Sequence, residues 1–307
     1  MRRAFLALLL VTLPAPAQTA AEFEALSRMG FLHYSRDQFN EARGYLEKAV
    51  AARPQSFPAR FLLAATLVQL KDTENAIVQL RQALARNPGH RDARKLLAAQ
   101  YVETRQFRDA ITLLQPNVET PPYDEETHLL LIESRQSSGD SAAAFALARK
   151  AAARFPRSAQ VLTWLGFQLQ FAGRNEEAKG PLKQAIALDP DFPMPLQLLG
   201  EVFLKREDYK ESAKWLSRAA EKMPGDIETL LSLSRAQAES GDTAQALETL
   251  QRAPEDARVH LQLSRLYFRL GDEAQARRHA ELSAQLRDRM PSAPSLTWRA
   301  APPPPAK

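Results

Sequence analysis

Residues 159–192, AQVLTWLGFQLQFAGRNEEAKGPLKQAIALDPDF, decide the fold of this 307-residue chain. Trp164, Leu165 and Leu169 recur at three- and four-residue steps before Ala172-Gly173-Arg174-Asn175, and Ala178, Leu182, Ala185 and Ile186 do the same after it. That spacing gathers the apolar side chains of each flank on one face of a helix, so the stretch predicts two amphipathic helices and a turn. Gly173 is expected to take the left-handed conformation that closes the first helix, and Asn175 to cap the second. Gly166, Ala178 and Ala185 are small enough to let two backbones approach closely. Asp189-Pro190 ends the unit, because proline cannot continue a helix.

The unit repeats. A step of 34 residues carries Gly166 to Ile132, Ala98, Ala64 and Gly30 upstream and to Gly200 and Ser234 downstream, mostly small. Ala178 goes to Ala42, Ala76, Ala110, Ala144, Ser212 and Ala246, and the residue before the small one is Met29, Leu63, Leu97, Leu131, Leu165, Leu199 or Leu233. Pro190 belongs with Pro54, Pro88, Pro122, Pro156 and Pro224, a coincidence expected by chance roughly once in a million trials. An eighth copy follows after 30 residues instead of 34, with Leu263, Ser264, Tyr267, Gly271 and Ala276 in the same relative places.

This order of leucine or aromatic, small residue, aromatic, alanine and proline resembles the tetratricopeptide repeat from Phe23 to about Met290. The resemblance implies an all-α solenoid, a right-handed superhelix of about eight helix-turn-helix repeats at 23–56, 57–90, 91–124, 125–158, 159–192, 193–226, 227–256 and 257–290. It also implies that the first helices line a concave groove holding an extended peptide or a partner's helix. The motif residues are the packing residues, so the resemblance speaks to fold far more than to function.

Irregularities mark individual repeats. Pro116 falls where the second helix of repeat three should still run, and a proline inside a helix costs roughly 3 kcal/mol, so that helix is expected to stop near Leu114 and Gln115 to Asp124 to act as a hinge. Gly180-Pro181 comes early enough in its helix to be absorbed as a kink. Pro193 and Pro195 suit a first turn, and Pro254 should shorten the second helix of repeat seven by about one turn. Repeat eight is rich in arginine, as suits a terminal copy facing water.

Met1-Arg2-Arg3, the apolar run Ala4 to Leu13, and Ala15-Pro16-Ala17 follow the order of a secretory signal peptide. Ten apolar residues are too few for a bilayer crossing, which takes about 20. The mature chain is expected to begin at Gln18, with no membrane span, and to reach a periplasm or the medium. Thr19-Ala-Ala-Glu22 has capping-box spacing, so the first helix is expected to start right after cleavage. Residues 291–307 contain six prolines and no apolar period, which reads as a Pro-rich, disordered tail with Trp298 as a conspicuous aromatic.

Several function classes lose support. The absence of cysteine excludes disulfides, thiol catalysis, cysteine-ligated metal and bacterial lipid anchoring. Loss of residues 1–17 would remove Arg2 and Arg3 and no acid, lowering the formal charge from +5 to +3, too little to argue for nucleic acid. His33, His128 and His260 fall at helix-packing places, His90 on a loop and His279 on an outer face, so no metal site or catalytic constellation is expected. Glu125-Glu126 and Glu176-Glu177 sit at helix starts, where the dipole favours acids. No metalloprotease, serine-hydrolase, phosphate-loop or dinucleotide motif is present. The reading is of a non-enzyme without cofactors.

On the family's geometry the groove takes the places equivalent to Gln160, Thr163, Trp164, Phe167, Gln170 and Phe171. These include Phe31 and Tyr34 in repeat one, Phe61 in repeat two, Glu126, Glu133, Met194 and Glu201 in the middle, and Arg235, Arg258, Leu261, Arg265 and Arg269 at the carboxyl end. The lysine and asparagine of the family's carboxylate clamp do not recur, since asparagine is missing from these places. Candidate binding residues are therefore Phe31, Tyr34, Phe61, Trp164, Phe167, Gln170, Phe171, Arg235, Arg265 and Arg269. Aromatics facing water on one surface point to a site for a protein or peptide partner. The tail lying over them is the competing reading. The sequence thus points to an exported scaffold of the cell envelope, and the alternative is an accessory of cell-wall or surface-polysaccharide complexes.

Overall fold

In the computed structural model, which describes residues 16–289, the turn after each first helix is built the same way eight times. Asp37, Lys71, Arg105, Gly139, Gly173, Glu207, Gly241 and Gly271 all have positive φ, between 57° and 99°. The amide of each donates three residues back, as in Gly173 to the Gln170 carbonyl at 3.0 Å, and the next amide donates five back, as in Arg174 to the Leu169 carbonyl at 2.8 Å. This is the Schellman closure, which satisfies carbonyls that the end of a helix leaves unpaired. Gly173 closes its helix as the sequence predicts, and four of the eight positions adopt the same turn without glycine.

The helices come in pairs: α1 (Pro16–Tyr34) with α2 (Phe39–Ala52), α3 (Phe57–Gln69) with α4 (Thr73–Leu84), α5 (Arg91–Glu103) with α6 (Phe107–Glu119), and α7 (Glu125–Ser137) with α8 (Ser141–Arg154). They continue as α9 (Ala159–Phe171) with α10 (Asn175–Leu188), α11 (Pro193–Lys205) with α12 (Tyr209–Lys222), α13 (Ile227–Glu239) with α14 (Thr243–Gln251), and α15 (Ala257–Arg269) with α16 (Glu273–Arg289). Among the described residues there is no strand, and no helix is long and apolar enough to cross a membrane. The architecture is an all-α solenoid of helix-turn-helix repeats.

Most first helices are capped at their start by a short polar side chain. Ser56, His90, Asp124, Ser158, Asp226 and Asp256 each accept from an amide of the first turn, for example Asp226 from Thr229 at 2.8 Å and Ser158 from Val161 at 3.0 Å. Phe192 cannot do so, and Pro193 next to it simply lacks one of the orphan donors. Second helices are capped by Asp72, Asp140, Asp208, Asp242 and Asp272. Asn175 does not cap α10: Arg174 holds the cap position without a side-chain bond, and the Asn175 Oδ1 is buried without a partner.

Inside most pairs a small residue on the first helix stands in register with a leucine on the second. A Cβ added to Gly30, Gly166 or Gly200 would stand 2.6, 2.5 or 2.5 Å from Leu46, Leu182 or Leu216, all fully buried. Repeat four reverses the pattern, with Ile132 on α7 and Ala148 on α8, both fully buried in one cluster. Burying a leucine side chain contributes about 1.5–3 kcal/mol, so each such contact stabilises its own helix pair.

The chain divides into two compact units after Tyr123, inside the stretch from Gln115 to Asp124. The first holds α1 to α6 and the second α7 to α16. Three further expectations need correction. Thr19 lies within α1, which already runs from Pro16, so it is not at a helix start. Pro116 does not stop α6, which continues to Glu119. Arg91 supplies donors there: its Nη2 bonds the carbonyl oxygens of Asn117 and, at 2.7 Å, Pro122, while its Nη1 reaches the Thr120 hydroxyl at 3.2 Å. The buried Asn117 in turn donates to the Arg91 carbonyl at 3.2 Å. Those bonds tie the carboxyl end of α6 to the start of α5. Lastly, His279 does not face water. It is half-buried, its Nδ1 is 2.9 Å from that of His260, and its ring lies on Tyr267. His90 is a helix cap, as given above.

Pro181 is carried within α10, and α14 is the shortest helix of the set at nine residues. The leader read in residues 1–17 falls outside the described residues up to Ala15, and so does the tail.

Candidate functional site

The second unit presents a row of first-helix positions in register: Glu133, Phe167, Glu201, Arg235 and Arg265. Phe167 is half-buried, edge-on to Trp164 with ring centroids 5.5 Å apart and 6.2 Å from the ring of Phe171. Phe171 is 61% exposed. Trp164 and Gln170 leave the candidate set, because both are buried: Trp164 packs with Ile132, Ala148, Ala151 and Val161, and Gln170 donates to Glu201 at 3.4 Å. Glu201 also accepts from Gln197 at 3.1 Å, and burial pushes its carboxyl above the usual carboxylate range against the pull of Lys205.

Toward the carboxyl end of the unit the row opens into two adjoining concavities between α13 and α15. One, of about 300 Å³, is lined by Leu204, Leu231, Ser232, Arg235, Arg258, Leu261, Gln262 and Arg265. The other, of about 420 Å³, is lined by Arg235, Ala238, Glu239, Gln262, Arg265, Leu266 and Arg269. Arg235, Gln262 and Arg265 form the shared wall.

The four arginines are not alike. Arg258 is held by Glu228 and by Asp256, whose Oδ1 lies 3.0 Å from its Nε, and these hydrogen bonds raise its pKa while lowering that of Asp256. Arg269 is bound to Glu239 at 2.6 Å and to the Ala238 carbonyl at 3.3 Å. Arg235 and Arg265 are exposed, and among the described residues no ion pair or hydrogen bond holds either guanidinium. Two forked donor groups therefore face one space with their partners still to be supplied. A guanidinium matches a carboxylate or another planar oxyanion through two parallel hydrogen bonds.

The first unit gathers its candidates differently. Phe61 stacks on Phe57 at 5.8 Å and leans on His90 at 5.2 Å, and Tyr34 packs edge-on to Phe39, so both rings are half-buried inside their own unit. Phe31 is 59% exposed. The sequence-derived set contains Arg235, Arg265 and Arg269, which line these concavities, and lacks Ser232 and Gln262, which line them too and stand at the Trp164 place of the seventh and eighth repeats.

Comparison with known proteins places this architecture. Family models described as tetratricopeptide repeat match residues 169–227, 203–258 and 257–281, and one described as anaphase-promoting complex, cyclosome, subunit 3 matches residues 35–117. No curated protein matches the sequence. A chain of the APC/C hetero-tetramer Cut9–Hcn1 is similar in structure, with a TM-score of 0.60 and 17% identity over 82% of this chain and 50% of that one. The present chain thus spans about half the length of that relative. YrrB, described as a TPR protein with an unusual peptide-binding site, gives a TM-score of 0.50 and 15% identity over 60% of this chain and 95% of its own. At such identities the likeness speaks to fold alone. The repeated helix pair, the glycine-leucine contacts and the family matches agree that this chain carries tetratricopeptide repeats.

Proposed function

We propose that the protein is a non-catalytic scaffold of the cell envelope, and that it holds an extended, acidic segment of a partner protein across α13 and α15. The observation that carries this reading is the pair Arg235 and Arg265, exposed, without an ionic partner among the described residues, and shared by two concavities. Leu231, Leu261 and Leu266 give the same space an apolar floor for a side chain of the partner. Exposed Phe171 and half-buried Phe167 extend the surface toward the middle of the unit. The arginine wall favours an acidic peptide over a neutral glycan, whose hydroxyls accept hydrogen bonds but supply no charge to pair with the guanidinium groups.

The test is an array of short peptides probed with the purified protein, followed by anisotropy on the best binders at several salt concentrations. Acidic peptides should win. Exposed charged contacts contribute about 0.5–1 kcal/mol each, so Arg235→Glu with Arg265→Glu should weaken binding roughly 5- to 30-fold and flatten its salt dependence. Equal binding by the double variant would overturn the reading. Export rests on the leader-like residues 1–17; amino-terminal sequencing of protein from the envelope or medium should begin at Gln18, and an intact Met1 in the cytosol would overturn it.

A further inference from the structure

Phe167, Glu201, Arg235 and Arg265 hold one and the same place on α9, α11, α13 and α15. Those helices are linked in that order. Gln170 of α9 bonds Glu201 of α11, Leu204 of α11 packs with Leu233 and Ala236 of α13, and Arg269 of α15 bonds Glu239 of α13. Along the row the chemistry is apolar, acidic, basic, basic. Exposed Phe171 lies one turn beyond Phe167 and widens the apolar end. Leu204, three residues after Glu201 and so on the same side of α11, lines the smaller concavity together with Arg235 and Arg265, which brings Glu201 beside that space.

Glu201 differs from the acids around it. Glu228 and Glu239 are bound to Arg258 and Arg269, whereas the partners of Glu201 among the described residues are neutral amides. Its Oε1 accepts from Gln197 at 3.1 Å and its Oε2 from Gln170 at 3.4 Å, and among the described residues no ion pair holds it. A carboxylate has about four acceptor sites, so each oxygen keeps room for another donor. Burial raises its carboxyl, with Lys205 one turn on opposing the effect without closing an ion pair. A carboxyl in this condition gains from a cation that a ligand brings to it.

We propose that this row reads the order of charges in its partner: two acidic residues against Arg265 and Arg235, a basic residue against Glu201 and an apolar side chain against Phe167, each about three residues from the next. The spacing follows from packed helices, whose axes lie about 8–10 Å apart, and from an extended chain, which advances about 3.3 Å per residue. A segment with the acids alone would leave Glu201 facing like charge. The inference rests on the reading that an acidic peptide occupies the arginine wall, and adds to it the cation and its distance from the acids.

The test uses the full chain and fluorescent peptides of the pattern Asp-x-x-Asp-x-x-Lys-x-x-Leu, made in both chain directions with x small and neutral, and reads binding by anisotropy. Replacing the lysine by norleucine should weaken binding about 5- to 10-fold, and moving it by one position at the same net charge should do likewise. Glu201→Gln should bind the lysine and norleucine peptides equally, and Glu201→Lys should prefer the peptide with glutamate at that position. Circular dichroism checks that both variants keep their helices, and the peptide comparison on the wild-type chain decides the matter even where a variant folds poorly. Equal binding of the lysine, norleucine and shifted peptides would overturn the charge order, as would a lysine preference that survives in Glu201→Gln. If the two-acid peptides still bind in those cases, and Arg235→Glu with Arg265→Glu still weakens them, the acidic-peptide reading stands without this extension. Failure of every acidic peptide to bind the wild-type chain would overturn both.

Discussion

Repeats four and five make the same contact with the large residue on opposite helices, and this permits a quantitative test. In repeat five Gly166 faces Leu182, and a Cβ on the glycine would fall 2.5 Å from Leu182 Cγ. One step of 34 residues earlier, the same two places hold Ile132 and Ala148, both fully buried. Gly166→Ile alone forces three or more carbons into filled space and should cost about 1–3 kcal/mol or more. Leu182→Ala alone leaves a cavity at a fully buried site and should cost about 2–5 kcal/mol. Were the sites independent, the double variant would lose the sum. Because they share one volume, Gly166→Ile with Leu182→Ala recreates the arrangement of repeat four and should lose less than about 1.5 kcal/mol, a coupling of about 2 kcal/mol or more. Solenoid stability is a sum over neighbouring interfaces, so the local measure is hydrogen exchange at the amides of α9 and α10, with urea unfolding of the whole chain as a check. A double variant as unstable as the summed singles would refute the reasoning.

Lys71→Gly, Arg105→Gly and Glu207→Gly should each stabilise the protein by about 0.5–1 kcal/mol: an L-residue in the left-handed region costs about 1–2 kcal/mol, and glycine's extra freedom in the unfolded chain returns about 0.5–1 kcal/mol of that. A raised urea midpoint checks this, and a lowered one in all three would count against it. The second concerns acid. Burial holds the His279 imidazole below the usual histidine range, with His260 and Arg278 adding to the effect, and burial does the same to His128 against Asp124. The unfolded chain therefore binds more protons than the folded one as pH falls below about 6.5, so stability should drop with acidification and recover on return to neutral pH. His279→Gln should make the pH profile shallower in unfolding curves taken between pH 7.5 and 5.5, whereas an unchanged profile would show that the pair with His260 is insensitive to charge.

The periodic packing places were legible because volume leaves no freedom there: Gly30, Gly166 and Gly200 stand where a Cβ would strike a leucine. The turns were half legible. Gly173 announces its positive φ, but Asp37, Lys71, Arg105 and Glu207 adopt it because two backbone hydrogen bonds close each helix, a demand that the backbone makes whatever the side chain. Pro116 misled for a related reason, since the carbonyls at and after the end of α6 find donors on Arg91, distant in sequence.

The candidate site was the least legible part, and the Trp164 place shows why. In register it holds Trp164, Leu198, Ser232 and Gln262. The first two are buried, because a large side chain there fills the gap between neighbouring first helices and becomes core. The last two are short or polar, so the gap stays open and becomes the concavities walled by Arg235 and Arg265. An aromatic in this position therefore closes the face, and a cavity forms where the large apolar residue disappears. Counting aromatics leads to Trp164, whereas following the shrinking side chain along the repeats leads to Ser232, Gln262 and the two unpaired arginines beside them.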